Sequence, residues 1–128
     1  DLEYVFSQQL SGAKVGYTLP FSPSMRANVA LQYKPKKFGA VTEPVFGAEL
    51  QAVAAQNNIV PPEKKTPAFA LLHLSASSTI VINKFKAKVN MELKNVLNTR
   101  YYDHTSFYRL IEVPGMGRNL MVNVGFVI

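Results

Sequence analysis

With 128 residues, 48% of them hydrophobic and 11% aromatic, the chain has the make-up of a folded protein and not of a disordered segment. It contains no cysteine, which excludes a disulfide framework, a thiolate metal site and a cysteine nucleophile. The net charge of +6 comes from 14 basic and 8 acidic residues spaced along the chain, without the dense Lys/Arg run of a nucleic-acid binder.

No apolar stretch approaches the ~18 residues that a bilayer-spanning helix needs. The first residue is Asp1, and no basic-then-apolar signal segment follows it. We therefore expect a piece of a longer polypeptide, with any targeting signal upstream.

In chain order, Leu2 to Gln9 is a first candidate strand. Ser11 to Ser24 follows as a loop with two glycines and two prolines. A strand is predicted over 26–35, where Ala27, Val29, Leu31 and Tyr33 alternate with Arg26, Asn28, Ala30, Gln32 and Lys34. Another is predicted over 43–56, where Phe46, Ala48, Leu50, Ala52 and Ala54 alternate with Val45, Gly47, Glu49, Gln51 and Val53. Asn57 to Pro67 reads as a loop. A third long strand is predicted over 68–82, with Leu72, Leu74, Ala76, Ser78, Ile80 and Ile82 opposite in parity to Leu71, His73, Ser75, Ser77, Thr79 and Val81. A very short break at Asn83-Lys84 leads to a strand over 84–97. There Phe85, Ala87, Val89, Met91 and Leu93 alternate without exception with Lys84, Lys86, Lys88, Asn90, Glu92 and Lys94, the period of a strand with one apolar and one polar face. After the aromatic loop Asn98 to Arg118, the final strand, 118–128, sets Leu120, Val122, Val124, Phe126 and Ile128 against Asn119, Met121, Asn123, Gly125 and Val127.

The fold class is therefore all-β, an antiparallel up-and-down meander of five to six strands with no helix longer than two turns. Connections alternate between long and short, as in a transmembrane barrel with short turns on one side and longer loops on the other. The strands run to about 9–12 residues, near the ~9–11 of a tilted bilayer-crossing strand and well above the ~5–6 of ordinary globular strands. A soluble antiparallel sheet with one buried face alternates identically, so a soluble β-sandwich or small-barrel module binding a ligand or glycan remains the alternative. In a bilayer every backbone polar group needs a partner, so a spanning sheet must close. Barrels begin at about 8 strands, so membrane strands here would form part of a larger wall.

Several pieces carry a family resemblance. Leu93 to His104, LKNVLNTRYYDH, resembles the stretch of TonB-dependent outer-membrane receptors in which a strand ends in Asn-aliphatic-aliphatic-Asn followed by Arg-Tyr-Tyr. Leu19 to Pro35, Gly47 to Asn58 and Lys65 to Ser77 (KTPAFALLHLSAS) are similar to preceding pieces of the same barrels, in the same order. GRNLMVNVGFVI resembles their closing strand, and YYDHTSFYR is similar to the variant found in Bacteroidetes-type bacteria. One position departs from the pattern: the family usually ends in an aromatic residue read by the insertion machinery, whereas this chain ends in Ile128, with Phe126 two residues earlier.

The resemblance implies that residues 1–128 are the C-terminal part of a single-chain barrel of about 22 strands, located in the cell outer membrane. Such a receptor takes up a scarce nutrient, commonly a ferric siderophore, haem or another metal complex. Its implied partners are outer-membrane lipid, the small-molecule or metal-complex ligand, and TonB, contacted through an N-terminal part not in this chain. In that setting Lys86, Lys88, Asn90, Glu92 and Lys94 face the wet lumen. Phe85, Val89, Met91 and Leu93 face lipid, because a Lys facing lipid at midplane costs about 2–4 kcal/mol.

Candidate ligand-binding residues lie in the loop from Arg100 to Arg118: Arg100, Tyr102, His104, Phe107, Tyr108 and Arg109. Aromatic and Arg residues are the usual anchors of a binding surface. The competing reading is an aromatic girdle at the membrane interface, above all for Tyr101 and Tyr102. No catalytic residue, metal site or cofactor is expected. His73, Ser75 and Ser77 share a face but no nucleophile motif accompanies them, and Asp103-His104 as sequence neighbours point apart. The isolated segment, with two open edges, is expected to self-associate.

Overall fold

The computed structural model describes residues 2–3, 20 and 22–127. Within them the chain is all-β, an antiparallel meander whose strands pair in chain order in one sheet. The strands are β1 (Leu2–Glu3), β2 (Arg26–Tyr33), β3 (Val41–Val53), β4 (Phe69–Ile82), β5 (Phe85–Lys94) and β6 (Asn119–Val127). One 3-10 turn, Phe107–Arg109, is the only helical element among the described residues. Of the expected opening strand, Leu2 and Glu3 pair with Ala27 and Arg26. The remainder to Gln9, most of the Ser11 to Ser24 loop and Ile128 lie outside the described residues.

The chain divides into two compact units. One comprises Asp1–Asn28, Gln51–Ala70 and Thr99–Met116; the other comprises Val29–Leu50, Leu71–Asn98 and Gly117–Ile128. The second unit holds most of the strand residues. Its register joins the parities read from the sequence. Leu74, Ala76, Ser78, Ile80 and Ile82 lie opposite Leu93, Met91, Val89, Ala87 and Phe85. Leu93, Met91, Val89 and Ala87 in turn lie opposite Leu120, Val122, Val124 and Phe126. Directly opposed residues share a face, so one face, apolar but for Ser78, runs across β4, β5 and β6. The other face carries Ser75, Ser77 and Thr79 against Glu92, Asn90 and Lys88, and these against Met121, Asn123 and Gly125.

Much of the apolar face is exposed. Leu74, Ile82, Phe85, Met91, Leu120, Val122 and Val124 are all exposed, and Phe126 is 76% exposed. Buried apolar side chains among the described residues are few: Val60, Leu71 and Pro44.

Local chemistry explains where the strands turn. β4 and β5 close through Asn83 and Lys84, with Asn83 at φ 55. Asparagine tolerates the left-handed region better than other residues with a side chain. Between β2 and β3 the backbones of Phe38 and Val41 bond reciprocally around Gly39 at φ +54, so β3 starts at Val41, two residues before the expected 43. Gly47 is required by contact: a Cβ there would lie 2.4 Å from Ser75 Oγ on the neighbouring strand.

β5 ends at Lys94 and not at 97. The ladder pairs Leu74 with Leu93, yet Val96 N–H donates to Leu72 O at 2.8 Å. The register has slipped by one residue, and Asn95, fully buried at φ 49, is the extra residue of a β-bulge. Its N–H is satisfied by His73 Nδ1 at 3.1 Å. Asn98, also left-handed at φ 53, closes a turn onto Asn95 O and accepts the Arg118 N–H through Oδ1 at 2.9 Å. Arg118 Nε donates to Val96 O at 2.8 Å. The Asn-Val-Leu-Asn step thus ends β5 and fastens the start of β6.

Candidate functional site

The first unit gathers the two long described connections, 54–68 and 95–118, through the parts of each that belong to it. Ala54 N–H donates to Met25 O, and Gln56 and Thr66 exchange backbone hydrogen bonds, so the first loop is pinched into a small hairpin. At its tip Glu63 is buried and turns back on its own loop: its Oε2 accepts the Val60 N–H at 3.0 Å. The second loop is shaped by short polar caps. Asp103 Oδ1 accepts from Thr105 N–H and from its hydroxyl. Ser106 Oγ accepts Tyr108 N–H and starts the turn Phe107–Arg109.

A buried polar network joins the loops. Thr66 Oγ1 lies 3.0 Å from His104 Nδ1 and accepts Arg109 Nε–H at 3.0 Å. Arg109 Nη2 donates to Lys65 O, and its guanidinium lies over the Tyr102 ring at 4.8 Å. His104 Nε2 lies 3.8 Å from Glu63 Oε2 and is buried without a hydrogen-bond partner. Burial holds His104 below the ordinary histidine pKa against the pull of Glu63, the next largest influence; Arg109 adds a smaller push downward and Asp103 a still smaller pull upward. The neutral imidazole fits this setting, accepting the Thr66 hydroxyl at Nδ1 and turning Nε2–H toward the Glu63 carboxylate. At the rim Lys64 pairs with Glu112 at 3.0 Å, and the Lys64 hydrogen bond holds the Glu112 carboxyl below the usual glutamate range.

The six loop candidates fall into different settings. His104 and Arg109 are 5% and 9% exposed and bind the two loops together. Tyr102 is half-buried under Arg109, and the guanidinium of exposed Arg100 lies 5.9 Å from the centre of the same ring. Phe107 and Tyr108 point outward, 73% and 65% exposed. Tyr101 packs on Phe69 with ring centres 4.7 Å apart. Gly115 lies against the Tyr101 ring and bonds to its carbonyl. Of the charged strand residues, Lys86, Lys88, Asn90, Glu92 and Lys94 share one face of the second unit, with Lys94 and Glu92 3.6 Å apart.

Sequence reasoning missed Glu63 and Thr66. Thr66 stands in the KTPAFALLHLSAS piece, so a signal for it existed. Glu63 follows Pro61-Pro62 in a polar loop, where nothing in the residue pattern announces burial. No family model, no curated protein and no solved structure matches this chain.

Proposed function

We propose that the chain is the C-terminal wall segment of a TonB-dependent outer-membrane receptor that imports a scarce nutrient such as a ferric siderophore, haem or another metal complex. The observation that carries this reading is the largely exposed apolar face running in register across β4, β5 and β6. Lipid is the solvent that accepts such a face, while water in the lumen accepts the parity of Lys86, Lys88, Asn90, Glu92 and Lys94. Long strands, the loop lengths and the five sequence pieces in family order support the same reading. The soluble sandwich needs a second apolar layer over this face, and the described residues supply none.

In this reading loops 54–68 and 95–118 belong to the outer mouth. Arg100, Phe107 and Tyr108, with side chains in solvent, make contact with ligand there, while Thr66, His104 and Arg109 hold the loop that presents them. The test uses the full-length parent protein. It should fractionate with outer membranes, bind at least one of a ferric siderophore, haem or cobalamin, and import it only when TonB is present. Recovery as a soluble protein, or import unaffected by loss of TonB, would overturn the reading.

A further inference from the structure

We propose that Glu63, Thr66, His104 and Arg109 form an acid-released clamp that fixes the Phe107–Arg109 turn to the 57–66 loop at neutral pH and frees it on mild acidification. The inference does not depend on where the protein resides, because it rests on the geometry of one buried network within the first unit.

A neutral imidazole leaves only its Nε2–H without a hydrogen-bond partner and suits the Thr66 junction, whereas an imidazolium disturbs that junction. Thr66 Oγ1 already accepts from Arg109 Nε–H. With His104 neutral, the Thr66 hydroxyl hydrogen goes to Nδ1. A second proton on the ring forces Nδ1 to donate toward the same oxygen, and the hydroxyl hydrogen must turn to Lys64 O, 3.4 Å away. The new cation also shares Thr66 with the Arg109 guanidinium, and like charges around one oxygen in a buried setting repel.

Among the described residues, the charged groups that face His104 from each neighbouring segment are Glu63 from the first loop, Arg109 from the 3-10 turn and Asp103 beside it. Lys64 and Glu112 pair with each other at the rim. Glu63 lies 3.8 Å from Nε2, too far for a hydrogen bond. The same Glu63 oxygen accepts the Val60 N–H, which ties it to its own loop. Burial and Arg109 together outweigh the two carboxylates, so His104 takes up a proton more readily when the loops part. The clamp is therefore fully closed above about pH 6.5, the ordinary histidine value, and weakens as pH falls below it. What is freed is the turn that carries Phe107 and Tyr108, the most exposed aromatic pair of the loop.

The test places spin labels at Asn58→Cys and Phe107→Cys in the full-length protein, other cysteines replaced, and reads the distance distribution at pH 8 and pH 5. A narrow distribution at pH 8 that broadens several-fold at pH 5, with its midpoint below about 6.5, is expected. His104→Gln should remove the pH response. Glu63→Gln, which retains an oxygen for Val60 N–H but not the countercharge, should broaden more on acidification than the parent does. An unchanged distance between the two pH values, a wild-type response in His104→Gln, or a smaller response in Glu63→Gln would overturn the proposal.

Discussion

Replacing Thr66 with Val keeps the shape of the side chain and removes one hydroxyl, the group on which His104 and Arg109 converge. The lost hydrogen bond to the guanidinium is worth about 1.5–3 kcal/mol and the one to the neutral ring about 1 kcal/mol, because the buried partners are left unpaired. Together they amount to roughly 2.5–4 kcal/mol, or about a sixty- to seven-hundred-fold increase in loop opening at 1.4 kcal/mol per tenfold. Hydrogen exchange of the Leu110 and Glu112 amides reads this opening directly, since their bonds to Phe107 and Arg109 carbonyls define the turn. At pH 7.5, where His104 is neutral, these amides in Thr66→Val should exchange faster by that factor. The β5–β6 ladder should be unaffected, and Thr66→Ser should behave as wild type. An exchange rate within threefold of wild type for Thr66→Val, or equal damage from Ser, would refute the network as the brace between these loops.

Three further outcomes follow from the same geometry. Val89→Lys should impair assembly in lipid far more than Lys88→Val, by about 2–4 kcal/mol, as read by the folded fraction; equal damage would count against a lipid-facing Val89. Gly115→Ala should disorder the loop, because a Cβ there would overlap the Tyr101 ring at 2.3 Å, and adding Tyr101→Ala should restore part of the loss. Failure of that rescue would mean the close approach is not the cause. Asn98→Gly should cost less than Asn98→Ala in thermal unfolding, since both lose the Arg118 bond but only Gly is at ease at φ 53; an equal cost would contradict the turn geometry.

Strand identity and pairing faces were legible because a strand alternates with a period of two, and β5 does so over its whole length. Boundaries were less so wherever a backbone angle and not a side-chain pattern decides them. Asn95 looks from the sequence like one more strand residue, yet its left-handed conformation inserts a bulge and ends β5 three residues early. Among the loop residues, chemistry was legible but burial was not. His104 and Arg109 have the composition of a ligand anchor, but their partners Glu63 and Thr66 lie about forty residues earlier in sequence, beyond any local pattern. Phe107 and Tyr108, carried on a short 3-10 turn, are exposed, a placement that residue type alone did not specify.

The most direct test of the account concerns which solvent each face of the β4–β6 sheet meets. The chain has no cysteine of its own, so single cysteines at Val89, Met91, Val122 and Val124, and separately at Lys88, Asn90 and Asn123, can each carry a fluorophore in the full-length protein in bilayers. The account predicts quenching by brominated lipid at the first four positions and by aqueous iodide at the other three. Iodide quenching at all seven positions, or the reverse assignment, would contradict it.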